Sequence, residues 1–174
     1  MILGNNLSFI ITFLAIARAG AVAAPLNPAY TEEEFRFFIE DAGASAVIVP
    51  DGDHTGRQAA AKLGLPILEA VESPNGSVTF LHEGTALTAT GNVPSPDADS
   101  TALFLHTSGT TSKPKGVPLS HANLMASIAN IANTYRLSAA DTSMVVMPLF
   151  HVHGLIGAAL ATLWSGGKAV LAPR

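Results

Sequence analysis

Between Thr107 and Gly116 the chain gathers the side chains best suited to chemistry. Ser108, Gly109, Thr110 and Thr111 follow a short apolar run; Ser112 and Lys113 come next, then Pro114, Lys115 and Gly116. Such a loop offers hydroxyl donors, free backbone N–H groups and positive charge close together, which is what gripping the oxygens of a polyphosphate requires. It is not a Walker loop. Counting from Gly109, that pattern needs its second glycine at position 114, which is Pro114.

A second segment, Pro148, Leu149, Phe150, His151, Val152, His153 and Gly154, carries two histidines in an His-x-His step. In hydrolases such a pair can ligate a metal, but no acidic cluster lies near it in sequence, so a metal site is the weaker reading. His106 and His121 flank the hydroxyl-rich loop, and either residue type could cap or pack there.

The elements that must position these residues alternate. Asn5 or Asn6 can cap a helix running to about residue 19, with Gly20 as its stop. A short strand is expected over 21–26, ended by Pro25 and the Asn27-Pro28 turn. Thr31 and Glu34 spell a capping box, opening a helix with Phe35, Phe38 and Ile39 on one face and Gly43 at its end. A strand over 46–49, a weaker helix over 55–63 and a strand beginning at Ile67 come next. Residues 72–100 read as a linker-like excursion with one strand over 78–81. A strand over 101–106 delivers the loop. Ser120 caps a long helix to about Tyr135, with Leu124, Ile128 and Ile131 inward. The pattern then predicts a strand over 144–147, a helix over 154–164 and a strand over 169–171. This alternation argues for an α/β fold, a mostly parallel sheet with helices on both faces.

Composition narrows the function classes. The 174 residues are 48% hydrophobic and 13% charged, which suits a buried sheet covered by helices. A net charge of −4 without a basic run favours neither nucleic acid nor an anionic membrane as a partner. Cysteine is absent, excluding disulfides and thiol nucleophiles and fitting an intracellular protein. Residues 7–24 are apolar but contain Arg18 and lack a preceding basic cluster, so a packed helix and strand is expected rather than a signal peptide or span.

The two motifs together resemble the adenylate-forming superfamily, which holds acyl-CoA synthetases, luciferases and peptide-synthetase adenylation domains. Its phosphate loop matches residues 107–116, with Ser112 where glycine is usual, and its Pro-x-Phe-His-x-x-Gly segment matches 148–154. Residues Arg18 to Asn27 and Tyr30 to Glu34 resemble its N-terminal region, so the likeness covers nearly the whole chain. By His106, Ser112 and the His-Val-His step it is most similar to oxalate–CoA ligases, with 4-coumarate– and malonate–CoA ligases as rivals.

The resemblance implies ATP-dependent activation of a carboxylic acid through an acyl-adenylate, then transfer to coenzyme A. It places Thr107, Ser108, Gly109, Thr110, Thr111, Lys115 and Gly116 around the phosphates, with Gly109 and Gly116 permitting unusual φ and close approach. Thr111 is implied near Mg²⁺. His151 is implied beside the carboxylate as the catalytic histidine, and with His153 it would line the acid site; an imidazole at 153 points to a short dicarboxylate such as oxalate. The expected partners are therefore ATP, Mg²⁺, coenzyme A and the acid, in a cytoplasmic or peroxisomal setting.

Family members are several times longer. The expectation is a partial N-terminal AMP-binding domain over 1–174, cut at both ends and inactive alone. A truncated, non-catalytic protein that keeps phosphate or partner binding is the alternative.

Overall fold

The computed structural model describes residues 1–88, 91, 93–107 and 114–172. Helix α1 spans Leu7–Arg18, and Asn6, not Asn5, caps it: the Asn6 side chain accepts the Phe9 N–H at 3.0 Å. Ser8 donates from both its backbone N–H and its hydroxyl to one oxygen of Glu72, at 3.3 and 3.0 Å. A carboxylate thus sits at the positive end of the helix. Helix α2, Glu32–Asp41, starts from the expected Thr31–Glu34 capping box and buries Phe35, Phe38 and Ile39. Strand β1 (Val47–Pro50), helix α3 (Thr55–Lys62) and strand β2 (Ile67–Glu72) come after it.

Strands β3 (Val78–His82) and β4 (Thr85–Ala86) fold back on β2, so the first part of the excursion over 72–100 is an antiparallel hairpin extension. Together they make a sheet in the order β1-β2-β3-β4, with β1 and β2 parallel. A second sheet pairs β5 (Thr101–Thr107) with β6 (Lys115–Ser120), antiparallel. Helix α4 (His121–Tyr135) grows from the Ser120 cap and buries Leu124, Ile128 and Ala132, leaving Ile131 half-buried. Strands β7 (Thr142–Val145) and β8 (Lys168–Leu171) form a third, parallel pair. Between them runs a π-helical segment, His153–Leu160, continuing into α5 (Ala161–Trp164). The α/β class is as expected, with parallel pairs at β1–β2 and β7–β8 and hairpins added.

Besides this hairpin, four elements differ from the sequence pattern. The strand expected over 144–147 lies two residues earlier, at Thr142–Val145. The strand expected over 21–26 is a single parallel bridge between Ala23 and Leu103. Pro25 supplies no N–H, which keeps a ladder from extending through it. Lys115–Ser120 is a strand although Gly116 and Pro118 disfavour one; β6 pairs with β5 alone among the described residues, and an unpaired edge tolerates proline. The helix expected over 154–164 begins as a π-helix, a widened form with bonds from i to i+5.

Two hydrophobic cores result. One gathers Phe9, Phe13, Leu103, Val145, Leu149 and Leu155; the other gathers Leu26, Phe35, Phe38, Val47 and Val49. Residues 1–3 run between them. The Ile2 N–H bonds Ile48 O at 2.8 Å, and the Leu26 N–H bonds Met1 O at 3.0 Å. Among the described residues no helix is long and apolar enough to cross a membrane.

Candidate active site

Strand β5 ends at Thr107 and β6 begins at Lys115, directly opposite each other in the ladder. The Thr107 hydroxyl donates to Lys115 O at 3.4 Å, a long bond that leaves it available to a better acceptor. Lys115 and Gly116 are exposed, and Lys115 has no ionic partner among the described residues. Ser108, Gly109, Thr110 and Thr111, which lie between these strands, fall outside the described residues.

The expectation of an unusual φ at Gly116 needs correcting. Its φ is not positive, unlike that of Gly20 or Gly43. What requires glycine is the ring of Phe104, into which a Cβ at 116 would run. Phe104 in turn meets His106 edge-on, with ring centroids 5.2 Å apart and planes at 87°. Residues 104 and 106 share a face of the strand, so Gly116 opens the space in which this aromatic pair packs.

His106 is the functional-looking group whose setting sequence left undecided. Its Nε2–H donates to Asp41 Oδ2 at 2.8 Å, and its side chain is only 7% exposed against 43% for Asp41. The Phe38 ring adds an edge contact at 4.7 Å. Strand β5 is thereby tied to the C-terminal end of α2 at the residue just before Thr107.

A cleft of about 520 Å³ opens at this point. His106, Thr107 and Pro114 form one wall, Phe150, His151 and Val152 another, and Asn27, Tyr30 and Phe38 a third. Tyr30 stacks on Phe38 with centroids 4.9 Å apart and planes at 13°. Burial, and then the charge of Glu34, raise the Tyr30 phenol above its ordinary pKa, so it stays a neutral hydrogen-bonding group. The cleft therefore brings together Thr107 and His151, one from each motif.

His151 occupies a turn: its N–H bonds Pro148 O at 3.1 Å and its carbonyl accepts the Leu155 N–H at 3.0 Å. Gly154 closes that turn, since a Cβ there would strike the carbonyls of Met147 and Pro148. His153 begins the π-helix, is exposed and does not line the cleft. No group of three His, Asp or Glu side chains among the described residues could hold a metal. A larger cavity of about 660 Å³, lined by Ile2, Ile39, Ile48 and Phe104, is mostly apolar and contains neither Thr107 nor His151.

Comparison with known proteins gives this cleft a context. An oxalate–CoA ligase of Arabidopsis thaliana is 43% identical over 172 residues, covering 96% of this chain and 33% of the relative. A probable CoA ligase, CCL9, of Humulus lupulus is 42% identical with the same coverage. The crystal structure of ATP-bound MatB from Rhodopseudomonas palustris superimposes with a TM-score of 0.77 at 31% identity, over 96% of this chain and 33% of that one. The chain thus spans about a third of the length of the relatives it matches. The family model for AMP-binding enzymes runs through every element that builds the cleft, from residue 1 to residue 174, and the chain belongs to that family.

Proposed function

We propose that this chain is the phosphate-gripping part of an AMP-forming acyl-CoA synthetase. The observation that carries the reading is the meeting of Thr107 and His151 in one cleft. In the reaction, a carboxylate oxygen attacks the α-phosphorus of ATP; the bond to the bridging oxygen breaks and pyrophosphate departs. The thiol of coenzyme A then attacks the acyl carbon and releases AMP.

Pyrophosphate gathers charge as it leaves, and donors fixed around it lower the barrier. Thr107, Ser108, Thr110 and Thr111 supply hydroxyls, Gly109 and its neighbours supply backbone N–H groups, and Lys115 supplies a point charge. Gly116 acts indirectly, through the packing of Phe104. Mg²⁺ would neutralise phosphate charge there, and the Thr111 hydroxyl is the group of this chain that would help to hold it. His151 orients the acid carboxylate.

A short dicarboxylate such as oxalate is the favoured acid. The support for it is the oxalate–CoA ligase relative at 43% identity; His153, exposed at the start of the π-helix, adds no support from this cleft. The test is a chimera in which residues 1–174 replace the matching segment of the Arabidopsis enzyme. Pyrophosphate release is compared for oxalate, malonate, 4-coumarate and a medium-chain fatty acid. Oxalate turnover is expected, and release with 4-coumarate but not oxalate overturns the substrate assignment.

A further inference from the structure

Two adjacent asparagines do different work. Asn6 caps α1. The Asn5 side chain reaches across the chain instead: its Oδ1 accepts the Leu149 N–H at 2.8 Å, and its Nδ2 donates to Met147 O at 3.2 Å. A carboxamide carries one acceptor and one donor group, like a peptide. The C=O of one residue and the N–H of the residue two further on are what a single residue engages in a parallel β-ladder. Asn5 therefore acts as a one-residue strand at the point where β7 has ended and Pro148 cannot donate.

Immediately beyond this pair of hydrogen bonds the chain enters the turn that carries His151. Leu149 is fully buried, the His151 N–H bonds Pro148 O, and Gly154 packs on the Met147 and Pro148 carbonyls. The segment is held by Asn5 at one end and by the Gly154 contact at the other. We propose that Asn5 is a positioning residue that sets the placement of His151 in the cleft, resting on the reading of His151 as the group that orients the acid carboxylate.

The test tracks histidine ring resonances and amide hydrogen exchange in the 174-residue chain, with His151 assigned by the signal lost in His151→Gln. In Asn5→Ala the His151 ring signal moves while that of His106 stays, and exchange at the Leu149 amide speeds up about tenfold. Asn6→Ala, which removes only the helix cap, leaves both His151 and Leu149 as they were. Asn5→Asp keeps an acceptor for the Leu149 N–H and restores most of its protection; this variant carries the test if Asn5→Ala does not fold. The inference is overturned if Asn5→Ala leaves His151 and Leu149 at their parent values, or if Asn6→Ala moves them as much. Pyrophosphate release by the chimera separates the two readings: if Asn5→Ala moves the His151 signal while His151→Gln leaves release unchanged, the positioning role stands and the role of His151 in adenylation falls.

Discussion

His106 and Asp41, 65 residues apart in sequence, share a 2.8 Å hydrogen bond that fastens the strand entering the phosphate loop to the end of helix α2. The imidazole is nearly buried between the Phe38 and Phe104 rings, and the carboxylate is half in water. Such a bond, charge-assisted but partly solvated, contributes about 0.5–1.5 kcal/mol. In a double-mutant cycle of His106→Gln and Asp41→Asn, urea unfolding is expected to give a coupling energy in that range. Additive effects would mean the bond contributes nothing to stability.

Gly116→Ala forces a methyl group into the Phe104 ring. Overpacking of this kind costs about 1–3 kcal/mol. Phe104→Leu in the same chain vacates part of the ring's volume and should recover much of the loss. If Gly116→Ala is neutral by thermal melting, the packing account of this glycine fails.

Glu34 gives a pH dependence with a definite sign. Its carboxylate accepts from the Thr31 backbone N–H at 2.8 Å and from the Thr31 hydroxyl at 2.9 Å. The backbone bond first, and the hydroxyl second, lower its pKa below the ordinary 4.5. A folded-state pKa lower than the unfolded one means stability present above the unfolded value and lost as pH falls through the folded value. Glu34→Gln should flatten the acid limb of the melting-temperature profile below about pH 4.5 and leave its neutral region with a similar slope. An unchanged acid limb would show that the box does not titrate with folding.

Within the chimera carrying residues 1–174 in the Arabidopsis enzyme, Lys115→Ala removes charge from the departing pyrophosphate. Loss of one such electrostatic contact costs about 10²–10³ in kcat. Thr107→Val should cost less, because its hydroxyl is one donor among several. Turnover unaffected by both changes would remove the phosphate loop from the mechanism.

The 174-residue chain by itself spans about a third of its relatives, and no acyl-AMP is expected from it with ATP and oxalate. Mass-spectrometric detection of oxalyl-AMP from the chain alone would overturn that expectation.

Local signals in the sequence translate directly into structure. The capping box at Thr31, the cap at Ser120 and the inward face of α4 arise from contacts three or four residues apart. The features that are not legible depend on distant partners. Strand β6 exists because β5 lies beside it, against the preferences of Gly116 and Pro118. In sequence His106 is any flanking histidine; the fold sets Asp41 next to it, and the reason for a glycine at 116 lies in the ring of Phe104. The choice between Asn5 and Asn6 as the helix cap turns on Met147 and Leu149, at the far end of the chain. Spacing locates the two motifs, but only the fold brings Thr107 and His151 to the same cleft.

Residues 1–3 alternate in allegiance: Met1 and Leu3 belong to one core and Ile2 to the other. Successive side chains of an extended segment point to opposite faces, so this short stitch is sewn through both halves at once. Sliding it by a single position would pull Ile2 from its socket and evict its two neighbours together. A stitch shared in this way couples the two cores, and a single calorimetric transition is expected on heating.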